Sequence, residues 1–341
     1  MTTKRDRKRR LILEALTTLT PPASTAAICA ELNSRGVDVS ERTIRDYVSK
    51  LREDGLTEAI GRKGHKLTKD GHKELDASTA LDRVGFLSAK IDKMTYQMSF
   101  DITNRRGTVV VNTSLLYPEQ LASCADEICK VFEKGYAMGH LMTLLEPGES
   151  IGPYTIPEGM VGFCTVCSIT LNGVLLKYGI PTRSRFGGLL ELKGGKATRF
   201  LEIITYDGTS IDPLEVFIRS GMTNYLGAIR DGNGCIGASF REIPADSRET
   251  VVLLAEKLDR IGLGAFMEIG RPRLPIYGIP VGEGHAGAVV VGGLNPISIV
   301  EEIGNRVVSR AMSGLLEYNR LFHYSEFKDR LRGLLVPTAI E

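Results

Sequence analysis

The residues best suited to read a partner lie between Ser40 and Gly55, SERTIRDYVSKLREDG. Ile44, Tyr47, Val48 and Leu51 fall at i, i+3, i+4 and i+7, so they form one apolar stripe of a short helix. Arg42, Thr43, Arg45, Asp46, Ser49 and Lys50 are then left on or beside the outer face. Ser40 is the expected N-cap, Glu41 suits the positive end of the dipole, and Gly55 suits the C′ position. A helix with a buried back and an arginine-bearing front fits a major groove, where a guanidinium donates two hydrogen bonds to guanine. A solvated helix face carries the same residue types. The neighbouring elements therefore decide between the two.

A second set suits a small anion. Arg183 and Arg185 stand beside Thr182 and Gly187-Gly188, in PTRSRFGG. Forked guanidinium donors next to glycines, whose amides a ligand can approach, match carboxylate chemistry. A related stretch offers Arg310, and a glycine-rich loop offers His285. Asn172 and Asn295 are expected at helix N-termini, which favour anions. The alternative is that the glycines make turns and the arginines make ion pairs between elements.

No catalytic constellation assembles, so no catalytic residue is assigned. The chain contains neither GxxxxGK[ST] nor GxSxG, and GEGHAGAVVVGG precedes a strand pattern rather than following one. Five His residues (65, 72, 140, 285 and 323) form no paired motif. Cys164 and Cys167 make a CxxC within a strand-like stretch, with no second pair, so buried thiols are expected and no metal.

The elements around the first helix read as a DNA-binding unit. Leu11, Ile12, Leu16 and Leu19 predict a helix stopped by Pro21-Pro22, behind the basic run Lys4 to Arg10. That run reads as an arm over phosphate or a solvated start. Ser24 caps a second helix, closed at Gly36, and Ser40 opens the third, which is helix-turn-helix order. Leu56 to Ile60 and Lys66 to Thr68 predict a hairpin carrying Arg62, Lys63, His65 and Lys66, placed to touch phosphate as a wing. Thr68 caps a further helix reaching Leu81. Residues 1–75 hold 16 Lys and Arg against 11 Asp and Glu, whereas the remainder holds 27 against 30. A polyanion partner therefore suits the first part alone. No apolar run spans a bilayer and no signal peptide reads at the N-terminus, so a cytoplasmic protein with no membrane contact is expected.

From Arg83 the pattern alternates like strands up to Pro118, and an internal duplication follows. Tyr154 to Gly159 recurs as Tyr277 to Gly282, Leu171-Asn172-Gly173 as Leu294-Asn295-Pro296, and SRFGGLLEL (184–192) as SRAMSGLLEY (309–318). The expected architecture is α/β (α+β): a winged helix-turn-helix over residues 1–82, then an internally duplicated α/β domain over 83–341 with pseudo-two-fold symmetry. Its repeat units cover about 107–205 and 234–324. Residues 206–233 bridge them, with a short helix starting at Asp212-Pro213.

The stretch from ILEAL through STAAICAELNSRGVDVSERTIRDYVSKLREDGLTEAIGRKGHKLTKDG resembles the winged helix of the archaeal nitrogen regulatory protein repressor (NrpR) family. YGIPTRSRFGGLLEL (178–192), SIDPLEVFI (210–218) and GHAGAVVVGGLNP (284–296) resemble that family's regulatory domain, of which this chain has room for one. The resemblance implies a dimeric or higher-order repressor of nitrogen-assimilation genes. It would bind an inverted-repeat operator in double-stranded DNA and release it when 2-oxoglutarate, an effector rather than a cofactor, accumulates. The residues proposed above for an anion would then hold its carboxylates and keto oxygen. The alternative is a winged helix serving as a protein-contact module on a small-molecule-binding or enzymatic body.

Overall fold

A computed structural model describes residues 4–34, 37, 39–61, 63–75 and 86–335. The chain divides into two compact units, Met1–Gly85 and Phe86–Glu341. The boundary expected at 82/83 lies outside the described residues, as do Gly36, Arg62, Leu81, Arg83 and the tail at Pro337.

The first unit runs α1 (Lys4–Thr18), α2 (Thr25–Ser34), α3 (Glu41–Glu53), β1 (Thr57–Ala59), β2 (His65–Leu67) and α4 (69–75). The basic run from Lys4 forms the opening turns of α1 rather than an arm. Ile12 and Leu16 of α1, Ile28 and Leu32 of α2, and Ile44, Val48 and Leu51 of α3 make one core. Ala23 exchanges both backbone hydrogen bonds with His65, at 2.9 and 2.8 Å, and so widens the β1–β2 hairpin into the sheet of a winged helix. Gly64 makes that approach feasible. Its φ is +136°, and a Cβ there would sit 2.3 Å from the Ala23 carbonyl oxygen.

The second unit opens with α5 (Leu87–Gln97), where strand alternation was expected. Leu87 and Ile91 are buried and Met94 packs with them, so the apolar residues recur at helical spacing. Then follow β3 (Thr108–Leu116), α6 (Pro118–Ser123), α7 (Ala125–Glu133), β4 (Leu141–Leu145), the small hairpin β5 (Ser150–Ile151) and β6 (Tyr154–Thr155), β7 (Val161–Val166), α8 (Ile169–Lys177) and β8 (Arg183–Lys193). After β9 (Lys196–Thr205), α9 (Pro213–Arg219) and α10 (Tyr225–Asp231), the order recurs as β10 (Gly234–Pro244), α11 (Arg248–Arg260), β11 (Phe266–Ile269), β12 (His285–Val291), α12 (Ser298–Glu302) and β13 (Val308–Glu317). β14 (Phe322–His323) and α13 (Phe327–Leu335) close the described chain.

Two five-stranded antiparallel sheets result, ordered β11-β12-β10-β8-β9 and β13-β3-β7-β4-β14. The duplication is thus more intimate than two units packed side by side. β8, the SRFGGLLEL strand of the first repeat, pairs with β10 of the second, while its counterpart β13 in the second pairs with β3 of the first. Each repeat thus donates this strand to the other's sheet. Both donated strands lose register at matching places: β8 slips past Phe240/Arg241 and β13 bulges between Arg310 and Gly314. Both large cores mix the halves. Leu116 and Phe163 share one with Phe186 and Phe240, and Val110 and Val174 share the other with Leu258 and Val290.

A chain starting at Phe86 should fold alone, because among the described residues its cores take none from the first unit. Circular dichroism during heating should show one cooperative transition. A gradual, baseline-like change would refute this.

Candidate DNA interface and effector site

The geometry of α3 follows from its local sequence. Ser40 Oγ accepts the Thr43 N–H at 3.2 Å, Gly55 takes φ +75°, and Leu56 N–H returns to the Leu51 carbonyl at 2.8 Å. Both ends are therefore capped. Ile44, Val48 and Leu51 are buried behind, while Arg42, Arg45, Asp46 and Lys50 are exposed in front, flanked by Thr43 and Ser49. Arg45 meets Glu41 at 3.3 Å on the open surface. Exposed pairs of this kind contribute little, so Arg45 remains free to exchange that carboxylate for a base edge.

The wing separates its candidates. Lys63 is exposed at the hairpin tip, and Lys66 pairs with Glu58 at 2.9 Å across the strands. His65 is held in the sheet by Ala23, and its ring is half-buried. Burial, reinforced by the Arg52 charge, lowers its pKa, which leaves the imidazole neutral at pH 7 and unsuited to hold phosphate as a cation.

In the body, Thr182, Arg183 and His285 line one cavity of about 340 Å³. Asp92, Asp207 and Glu242 line it too, so its carboxylates outnumber its cations. Arg185 instead reaches Glu242 at 2.9 Å and the Pro280 carbonyl at 3.3 Å. Burial pushes the Glu242 carboxyl upward, but the Gly282 N–H and Arg185 outweigh it and hold the group below its usual range. His285 Nδ1 lies 2.8 Å from the Glu283 carbonyl.

Gly187 and Gly188 sit inside β8, paired with β10 on one side and β9 on the other. Their role there is close packing, since a Cβ would meet Pro213 from Gly187 and Phe200 from Gly188. Arg310 stands apart on β13, its guanidinium 4.2 Å from the centroid of the Tyr154 ring.

The two asparagines are not N-caps. Asn172 lies within α8, and Asn295 opens the 3-10 turn Asn295–Ile297. Asn295 Nδ2 donates to the Tyr136 and Gly237 carbonyls, both at 2.8 Å, and fastens loop to strand. Asn172 Nδ2 donates to Ser184 Oγ at 3.0 Å, and its Oδ1 accepts from Arg241.

Arg241 was not singled out by its sequence context. It is 1% exposed and also donates to Ser168 Oγ at 2.8 Å. Burial lowers its pKa to about 10, so it is still charged at neutral pH. Close by, Ser168, Tyr206 and Asp212 line a space of about 20 Å³ with Asn112 and Met312. Asp212 caps α9 by accepting the Leu214 N–H at 2.9 Å. Burial first, and then the Glu215 charge, raise its carboxyl to about 7. Cys167 lines the same space, and both it and Cys164 are buried thiols, raised by desolvation to about 12.

As a class, this is a winged-helix unit joined in one chain to a duplicated, strand-exchanged α/β body. Residues 84–323 match the NrpR regulatory domains NRD1 and 2, and residues 10–75 match the ribonuclease R winged-helix domain. The global nitrogen regulator NrpRI of Methanosarcina mazei is 34% identical over 88% of this chain and 92% of its own length. The global nitrogen regulator NrpR of Methanocaldococcus jannaschii is 29% identical over 98% of this chain, which spans 57% of that protein. The crystal structure of a nitrogen repressor-like protein from Methanococcus jannaschii superposes with a TM-score of 0.60, at 27% identity, covering 70% of this chain and 99% of that one. The chain belongs to the NrpR family.

Two measurements probe these assignments. Arg185→Ala strips the partner from a carboxylate that is 2% exposed, and should cost about 1–3 kcal/mol in denaturant unfolding. An unchanged midpoint would mean that the pair contributes nothing. Asp212 holds a proton in the folded chain that the unfolded chain releases near pH 3.8. Its contribution is therefore full below that pH and is lost as pH climbs through about 7. Asp212→Asn keeps the cap and should flatten this fall in stability. Parallel pH profiles would show that Asp212 ionises in the ordinary range.

Proposed function

We propose that the chain is a DNA-binding transcriptional repressor of nitrogen-assimilation genes, released from its operator by 2-oxoglutarate bound to the duplicated body. The observation that carries the reading is the doubly capped helix α3, with Arg42 and Arg45 exposed beside a wing that presents Lys63. Membership of a family whose relatives are named global nitrogen regulators supplies the regulated process. Repression from an inverted repeat requires a homodimer or higher homo-oligomer, with half-sites about one helical turn or a multiple of it apart. The assembly acts in the cytoplasm and is not an enzyme, in keeping with its regulatory relatives. Among the described residues no helix is long and apolar enough to cross a membrane.

Effector and operator are linked. A ligand weakens DNA binding only by preferring the state that binds DNA poorly, and a coupling of about 1–3 kcal/mol lowers operator affinity roughly 5- to 150-fold.

Footprinting on the promoter, with and without 2-oxoglutarate, tests the reading. Protection with dyad symmetry that fades on addition of the effector is expected. Protection that ignores 2-oxoglutarate would remove the effector, and no protection at all would favour a protein-contact winged helix. Arg42→Ala or Arg45→Ala should cost about 1–3 kcal/mol and relax preference at one base pair. Lys63→Ala should weaken all sequences alike and reduce the salt slope by roughly one.

A further inference from the structure

Arg241 is a buried cation among neutral partners. Its guanidinium donates to Asn172 Oδ1 and Ser168 Oγ, while Nε has no hydrogen-bond partner. Among the described residues no carboxylate forms an ion pair with it, although Glu242, its neighbour in β10, has Arg185. A charge withdrawn from water without a counter-charge is costly to the fold, and a bound anion removes that cost.

The surroundings are built to receive one. Asn172 is fixed by Ser184, so its carbonyl oxygen is aimed at the guanidinium before any ligand arrives. Ser168 belongs both to the Arg241 contact and to the adjoining space lined by Tyr206, Asn112, Met312 and Asp212, and burial shifts that one carboxyl toward its neutral, protonated form. That space, about 20 Å³, holds roughly one water-sized group, so a carboxylate enters only if its cover moves.

The cover is a strained piece of chain. Met312, in the β13 bulge, takes φ +48°, which is unfavourable for a side chain of its kind. The bulge is held by Met312 N–H to Asn112 Oδ1 at 3.1 Å and by Lys90 Nζ to the Ala311 carbonyl at 2.9 Å. Lys90 lies on α5, the element that follows the winged-helix unit in the chain.

We propose that Arg241 is the buried anchor for one carboxylate of the effector, seated beside Ser168 where α8, β10 and the β13 bulge meet. This rests on the proposed 2-oxoglutarate response. It moves the anion away from the 340 Å³ cavity around Arg183, whose excess of carboxylates would repel it. Opening the bulge to admit the ligand loads the Lys90 contact, and so gives binding a mechanical path to α5.

The test uses full-length protein, its melting temperature followed with 2-oxoglutarate as the probe. Asn172→Asp places a permanent carboxylate against Arg241 in nearly the same volume. Arg241→Gln keeps a donor for the Asn172 and Ser168 oxygens but removes the charge. Expected are a ligand-dependent rise for the wild type, a higher melting temperature for unliganded Asn172→Asp, and at least a tenfold loss of 2-oxoglutarate affinity in both variants. If Arg241→Gln fails to fold, Asn172→Asp decides alone. A wild-type response that both variants retain in full overturns the Arg241 anchor and leaves the effector reading intact. A lower melting temperature for unliganded Asn172→Asp also overturns the anchor, because no counter-charge was then wanted. A wild type that ignores 2-oxoglutarate brings down the effector reading and, with it, the carboxylate assigned to Arg241.

Discussion

Neither half of the body can satisfy its own backbone. β10 needs β8 along one edge, and β3 needs β13 along one of its edges, so each half's inner strand is completed by the strand the other donates. Stripped of that partner, a long row of buried amides and carbonyls would lie open, a cost no domain of this size tolerates. The side chains obey the same constraint, because both large cores draw on both halves. The halves therefore cannot swing apart as hinged lobes. Where β8 and β13 cross into the other half's sheet, both ladders slip, which leaves room for local movement at the exchange itself.

This constraint makes the internal charges informative. Glu302 from α12 accepts Thr223 Oγ1 and the Tyr225 and Leu226 N–H groups, and so caps α10 from outside it. Glu242 is matched by Arg185 and the Gly282 N–H. Buried charges are normally matched in this way. Against that habit, the neutral partners of Arg241 stand out, as does Asp212, whose carboxyl burial raises to about 7.

What could be read without coordinates was what local sequence controls. Ser40, the Ile44–Leu51 stripe and Gly55 define α3 within one window, because caps and periodicity are short-range. The repeats were equally legible, since β8 and β13 carry similar strings. The exchange of these strands was not, because pairing partners leave no local mark. α5 reads as strand from its sequence because its apolar residues are sparse and its polar ones fill the gaps. Gly187-Gly188 resembled a ligand loop, yet the space they leave is filled by Pro213 and Phe200. Asn172 was drawn as a cap, although it stands a turn too deep in α8. Arg241 carries no local signal, because an arginine in a strand becomes unusual only once the fold has buried it.

The donated strands also carry a history. A half-length chain ending in a strand like β8 would have a vacant place beside its own inner strand and a spare strand with no place. Two such chains would complete one another by trading ends, as domain-swapped dimers do. Joining their genes head to tail, with a connector where residues 206–233 now run, would give the body seen here. On this view the two sheets share four matching strands and differ only at the β9 and β14 edges.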